Sequence, residues 1–550
     1  MKIFKVFLTV IFTFCQITAQ NSIPHLAKKD HATQLIVDGK PFLMIAGEVH
    51  NSSASTIAYM EPLFPKLKAM NLNSVFVTLA WEQFEPNEGV YDYTLVDAII
   101  ENAKKNDLKL CLLWFASWKN GESSYAPLWV KKDTKRFFRV KTKEGKEIET
   151  LSPFCEATKI ADAKAFGKLM KHVKEYDKDQ TVILMQPQNE VGMFQDIDYN
   201  KVALDLYEQS VPTALMTYLK ENKNDLKSYV KDSWSQSNFK IKGTWKEVFG
   251  DTPESKAFFT TWQYATYINF VAKSGRKEYN LPMMVNAWIV QKPEDLPGVY
   301  PNGGPVSRVL DIWKAAAPDI DIQSPDIYLQ NFKEIVAMYH RDDNPLLVPE
   351  SKAEVGRAFY AFGQHDAICF SPFGIEDAAD DFVFTKSYEL LNEVEHLIKE
   401  YQGTGKMKAV LKEGNEQYQD IYLGNYKIKV MYEKPSEPSF GIIIQSDSDE
   451  FIVIGMNLTI FFTSEVKGTM GYIGQVFEGG YKNKDWVTTR MMNGDETYHN
   501  SRLRVFGRTF ETAQDMVKVT KKEGEPDAYS PATKQSIVTP GVYKVITYER

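Results

Sequence analysis

Two glutamates occupy positions from which they could do chemistry together. The segments Gln186-Pro187-Gln188-Asn189-Glu190-Val191-Gly192 and Val348-Pro349-Glu350-Ser351-Lys352 each close a short apolar run, and each carries one carboxyl group just past its end. Two carboxyls facing one another across a cleft suit the cleavage of a glycosidic bond. One protonates the departing oxygen while the other attacks the anomeric carbon, and a separation of about 5–5.5 Å makes that attack direct, with retention of configuration. Taken singly, a glutamate is most often a solvated surface residue. The case for this pair rests on where each sits in a longer repeating pattern.

From about residue 41 to 401, short apolar runs alternate with helical patterns, as a parallel α/β fold requires. The runs predict strands at Phe42–Ala46, Ser74–Leu79, Leu108–Trp114, Thr181–Gln186, Met283–Val285, Ile320–Ile322, Leu346–Val348 and Ala367–Phe370. Helical periods fall between them, including Tyr59–Met70, Pro305–Ala317, Asn331–Arg341 and Phe382–Tyr401, and a mostly helical insertion is expected over 191–280. Eight strand–helix units of this kind fit an α/β (β/α)8 TIM barrel, whose reactive groups lie at the C-terminal ends of the strands. Glu190 then follows strand four and Glu350 follows strand seven, on opposite sides of the barrel mouth. The expected organisation is a signal peptide over 1–19, a catalytic barrel over 20–401 and a smaller all-β, sandwich-like domain over 402–550. The last is read from alternating runs such as Tyr426-Lys427-Ile428-Lys429-Val430.

The N-terminus has a basic start at Lys2 and Lys5, an apolar stretch from Val6 to Phe14 and a small residue at Ala19. That is a secretory signal, too short to span a bilayer, so a secreted or periplasmic protein is expected. Lipid anchoring through Cys15 is disfavoured by bulky Phe14 before it. No transmembrane segment is expected elsewhere. Lys+Arg 65 against Asp+Glu 72 gives a net charge of -7, which offers no general attraction for nucleic acid. The remaining cysteines, Cys111, Cys155 and Cys369, are odd in number and match no zinc spacing, so no disulfide framework, metal site or cofactor is expected. The sequence leaves the oligomeric state open.

Further residues fall on the expected rim. Trp81, Trp114, Trp118 and Trp288 lie at or beyond the ends of strands two, three and five, where they either stack on sugar rings or line the barrel top. Glu48 and His50 end strand one and could meet sugar hydroxyls, with a structural hydrogen bond the other reading of His50. Glu85, before Pro86, is read as fixing a loop. The acidic run Glu376, Asp377, Asp380 and Asp381 lacks calcium-loop spacing and is read as solvated.

These segments resemble family 35 of the glycoside hydrolases, within clan A, most of whose members are β-galactosidases. The family's Gly-x-x-His segment is similar to Gly47-Glu48-Val49-His50. Its Trp-x-x-His-Glu-Pro-x-x-Gly segment is similar to Trp81-Glu82-Gln83-Phe84-Glu85-Pro86-Asn87-Glu88-Gly89, and its Gln-Asn-Glu-x-Gly motif to Gln188-Asn189-Glu190-Val191-Gly192. The resemblance implies that Glu190 is the acid/base, that Asn189 bonds the sugar 2-hydroxyl, that Glu350 is the nucleophile and that Tyr328 steadies it. It covers the barrel, and the tail resembles a domain of unknown function often appended to bacterial members. Two departures stand out. The family's Cys-Ala-Glu segment, whose Glu grips galactose, is replaced by Trp114-Phe115-Ala116-Ser117-Trp118-Lys119, and the family's Asn after the tryptophan is Glu82. The resemblance implies a carbohydrate substrate and an exo-acting, retaining β-galactosidase working on oligo- or polysaccharides. The alternatives are the same mechanism on an arabinoside or glucoside, a non-catalytic glycan-binding protein, and a scaffold.

Overall fold

The apolar runs pair side by side in the order in which they occur along the chain. In the computed structural model, which describes residues 22–433, 437–492, 494–511, 516–519, 528–531 and 536–550, the strands are Met44–Glu48, Ser74–Ala80, Lys109–Lys119, Val182–Asn189, Met284–Trp288, Ile322–Ile327, Leu347–Val348 with Glu350–Ser351, and Cys369–Phe370. The expected signal peptide, with Cys15, lies outside the described residues. Every ladder between these strands is parallel. A bridge from Met185 to Met283 joins the fourth strand to the fifth, and pairing of Cys369 with Met44 closes the ring. This is the (β/α)8 barrel. Pro349, which has no N–H to donate, splits the seventh strand. Leu347-Val348 pairs with the eighth strand, whereas Glu350-Ser351 pairs with the sixth, setting Glu350 directly beside Asp326.

The barrel interior is filled by Met44, Ala46, Phe76, Cys111, Leu113, Leu184, Met284, Ile322, Leu347 and Cys369. Cys111 and Cys369 serve there as small apolar residues, and burial pushes both thiols well above their ordinary pKa. Leu35 and Val37 join the same cluster from a three-stranded antiparallel sheet, His25–Lys29, Ala32–Val37 and Lys40–Phe42. That sheet has no counterpart in the sequence reading, because its outer strand is too polar to register as one.

The helix expected over Tyr59–Met70 is two, Ile57–Met60 and Leu63–Ala69, because Pro62 cannot continue the first. The expected insertion is also shorter. Its last helix, Pro253–Glu278, packs along Glu156–Tyr176 against the fourth strand as a regular barrel helix, and the insertion proper is the set of short helices before it. None of the described helices is long and apolar enough to cross a membrane.

From Met407 onward the described chain forms two two-stranded antiparallel sheets, Arg508–Glu511 with Ser536–Thr539 and Met516–Val519 with Ala528–Pro531, and two larger antiparallel ones. One has six strands: Met407–Leu411, Phe440–Gln445, Glu450–Met456, Gly541–Glu549, Gly471–Lys482 and Asp485–Met492. The other has four: Tyr418–Leu423, Tyr426–Tyr432, Leu458–Ser464 and Leu503–Val505. They enclose a core that includes Ile428, Val430, Ile443, Phe451, Val453 and Val545. The outer face of the larger sheet lies on barrel helix Val355–His365, at Gly356 and Gly363. A Cβ there would come within 2.8 Å of Phe440 and Ile442. The ion pairs Lys333–Glu416 (2.7 Å) and Arg508–Glu393 (3.2 Å) flank that contact.

Candidate active site

The two glutamates reach the barrel mouth by different local devices. The chain leaves the fourth strand through two left-handed residues, Gln188 (φ 69) and Glu190 (φ 42). Such conformations cost roughly 1–2 kcal/mol each outside glycine. They are held in place because Glu190 N–H donates to Asn286 Oδ1 (3.0 Å) and Gly121 N–H donates to Glu190 O (3.1 Å). Gly192 follows at φ 142, where any Cβ would strike the Pro301 carbonyl at 2.6 Å, so this position of the motif must be glycine. Glu350 is carried instead by the break at Pro349. Tyr328, just past the sixth strand, donates to Glu350 Oε2 (2.8 Å), and Asn286 Nδ2 lies 3.3 Å from Oε1.

Carboxylate oxygens of Glu190, Asp326 and Glu350 all lie within 4.8 Å of one another, and all three groups are buried. Burial raises the Glu190 pKa to about 7, the negative charge of Glu350 adds to the rise, and Lys119 opposes it. Asp326 is held well above the usual carboxylate range by burial and by Glu350 and Glu190. One oxygen of Asp326 accepts from Asn286 Nδ2 (2.8 Å), and the other receives no donor from the described residues. The group adjoining it is the Glu190 carboxyl, so a proton shared by the two acids is the bond open to it. Glu48 ends the first strand beneath this cluster, 1% exposed, its pKa raised well above normal by burial and by Glu350. Its Oε1 has no partner among the described residues. Glu190, Asp326 and Glu350 are also the one cluster of three or more acid, histidine or cysteine side chains among the described residues whose ligand atoms lie close enough together to hold a single cation.

A cleft of about 320 Å³ opens onto this cluster, lined by Asn51, Lys119, Asn120, Glu190, Trp288, Gln291, Asp326, Tyr328, Glu350 and Phe373. Of the four tryptophans expected at the rim, Trp288 lines it, at 37% exposure. Trp81, Trp114 and Trp118 do not: each is fully buried with its indole N–H satisfied, by Glu85 Oε2, Asp162 Oδ1 and Leu151 O respectively. They pack against core rings and offer no face to a sugar. The reason is strand length. The third strand runs on through the expected end at Trp114 to Lys119, which places Trp114 in mid-strand and turns both of its indoles into the wall.

Asn189 lies just below the rim, its Oδ1 accepting from Gln186 Nε2 and Asn286 Nδ2, both at 2.9 Å, and its Nδ2 3.4 Å from Asn120 Oδ1. Glu48 is near the cluster but does not line the cleft. His50 bonds Asp377 (2.9 Å) and packs edge-on against Phe373. Glu376, read as part of a solvated run, instead accepts from His50 N–H (3.0 Å) and Ser53 Oγ (2.5 Å) and so fastens the loop after the first strand. Glu85 accepts from Trp81 and from Gly89 N–H (2.7 Å), which fixes its loop. Lys119, Asn286 and Asp326 were not singled out in the sequence. Asp326 stands two residues before Tyr328, but nothing in one sequence shows that a lone aspartate will face two glutamates from other strands.

Residues 34–274 match the model of glycosyl hydrolases family 35, and residues 384–504 match that of a domain of unknown function, DUF5597. A β-galactosidase of Xanthomonas manihotis is 26% identical over 171 residues, which is 30% of this chain and 26% of that protein. The chain thus spans about a quarter of that relative's length. Among solved structures, the β-galactosidases of Bacillus circulans sp. alkalophilus (16% identity) and Rahnella sp. R3 (14%) each give a TM-score of 0.44, covering 66% of this chain and 57% of theirs. The β-1,4-D-mannanase of Cryptopygus antarcticus gives 0.41 at 11% identity, covering 68% of this chain and 94% of its own.

Proposed function

From a chain whose residues 34–274 match the family 35 model and that carries a domain of unknown function behind its barrel, we propose a secreted, retaining exo-glycoside hydrolase that removes terminal β-galactose. The observation that carries the reading is the spacing of the two glutamates. Their nearest oxygens lie within 4.8 Å, which favours a retaining pair, about 5–5.5 Å apart, over an inverting pair, roughly 6.5–9.5 Å apart.

In the first step Glu190, protonated because burial and its neighbours raise its pKa to about 7, gives its proton to the glycosidic oxygen as the C1–O bond breaks. Glu350 forms a bond to C1, with Tyr328 holding one of its oxygens in place. In the second step Glu190, now ionised, takes a proton from water. The water oxygen bonds to C1, and Glu350 leaves. Galactose as the sugar is supported by the family 35 match and the Xanthomonas relative.

Turnover of nitrophenyl β-galactoside, measured beside the arabinoside and glucoside, tests the assignment. Cleavage of the galactoside that disappears in Glu350→Gln is the expected result. Cleavage of another glycoside alone refutes the galactose assignment, and cleavage of none refutes the enzyme.

A further inference from the structure

The third strand ends on a lysine that the protein has buried without giving it a partner. Lys119 is 7% exposed and pairs across the sheet with Asn189, at the level of the candidate acid/base. Its backbone is pinned by reciprocal bonds with Glu122, Lys119 N–H to Glu122 O (2.8 Å) and Glu122 N–H to Lys119 O (3.0 Å). Its side chain passes the Phe115 ring, with Nζ 5.0 Å from the centroid, and lines the cleft. An ammonium carries three donors, and that of Lys119 reaches the cleft rather than being sealed away from it. Yet it makes no hydrogen bond with any described residue, and no carboxylate oxygen lies within 4.0 Å of Nζ.

The charges facing Lys119 come from four elements: Glu48 on the first strand, Glu190 after the fourth, Asp326 on the sixth and Glu350 on the seventh. Burial works against its charge, but these carboxyls together hold its pKa above the ordinary lysine value. They supply attraction at a distance and leave the donors open, with space for ligand atoms between Nζ and the acids. A further carboxylate brought in by the sugar would add to a cluster already crowded with acids.

We propose that Lys119 is the specificity residue of the cleft, donating hydrogen bonds to oxygens of a neutral sugar held between Glu190 and Glu350. This rests on the hydrolase reading above. It also gives the third strand a sugar contact where no carboxylate stands in register.

The test compares wild type, Lys119→Met and Lys119→Arg on nitrophenyl β-galactoside, on its 2-, 3-, 4- and 6-deoxy analogues, and on the β-galacturonide. Lys119→Met is expected to keep its melting transition and to raise KM for the galactoside about tenfold or more, with a smaller change in kcat. Lys119→Arg should recover part of the loss. For the analogue lacking the contacted hydroxyl, wild type and Lys119→Met should become equal, and wild type should prefer the galactoside to the galacturonide. The proposal is overturned by an unchanged KM, by the same proportional loss on every analogue, or by a wild-type preference for the galacturonide. A wild type that cleaves none of these glycosides refutes the hydrolase reading and this proposal with it, whereas normal wild-type turnover with an indifferent Lys119→Met refutes this proposal alone.

Discussion

The barrel buries acids in two neighbouring places and treats them in opposite ways. Asp162, inside the wall behind the third and fourth strands, receives Trp114 Nε1 (2.9 Å), Ser117 Oγ (2.6 Å), Gln188 Nε2 (2.6 Å) and Tyr267 OH (3.3 Å). Burial raises its pKa to about 6, and those four donors all pull against the rise. Glu190, Asp326 and Glu350 instead line the cleft at the barrel mouth, with Glu48 buried close by. One oxygen of Asp326 and one of Glu48 have no donor, and the Lys119 ammonium no acceptor, among the described residues. A carboxylate whose lone pairs are filled by the protein has a structural task. Carboxyls left short of donors beside a cavity hold strain that substrate and shared protons relieve. Burial alone does not separate the two, since every one of these groups is under 10% exposed.

Substitutions should therefore split by region. Glu350→Gln is expected to lower kcat by roughly 10⁶-fold, by the measure of other covalent catalysts, while the fold stays intact. Because it removes a like charge from a crowded cluster, its thermal stability should match or exceed wild type by about 0.5–2 kcal/mol. Asp162→Ala should do the reverse. It strands several buried donors and is expected to cost about 3–5 kcal/mol in denaturant unfolding, while KM of the folded fraction stays near wild type. An Asp162→Ala protein of normal stability would remove the distinction between the two regions. Tyr328→Phe takes one donor from Glu350 and should reduce kcat by about 10–100-fold, from a charged hydrogen bond of roughly 1.5–3 kcal/mol, with little change in melting.

The smallest effects are in pH. As a proton donor with a pKa of about 7, Glu190 should make kcat fall as pH rises through that value, and Glu190→Gln should abolish this limb. Asp162 acts on stability instead. Its folded pKa of about 6 lies above an unfolded value of roughly 3.9, so the folded state binds the proton more tightly. Its contribution is present below about pH 4 and lost as pH rises to 6. Stability profiles of wild type and Asp162→Asn should diverge across that window.

The features legible in the sequence are those written locally. The barrel followed from apolar runs at regular intervals, and Glu190 and Glu350 stood out because each closes such a run. What stayed hidden depends on side-chain direction and on strands meeting from afar. Trp114 and Trp118 read as rim residues because the apolar run ends at Trp114, while the strand continues to Lys119 and turns both rings into the wall behind the barrel. Asp326 and Asn286 join the cluster only through the register of the fifth, sixth and seventh strands. The sequence shows only that the segment Trp114–Lys119 has no carboxylate, and the placing of Lys119 among four acids is a property of the closed barrel.

The central claim is that Glu350 attacks the sugar directly while Glu190 protonates the leaving oxygen. Proton NMR of the first product released from a β-galactoside, recorded before mutarotation, tests it most directly. The account requires the β-anomer to form first and then relax toward equilibrium. Initial formation of the α-anomer would contradict it.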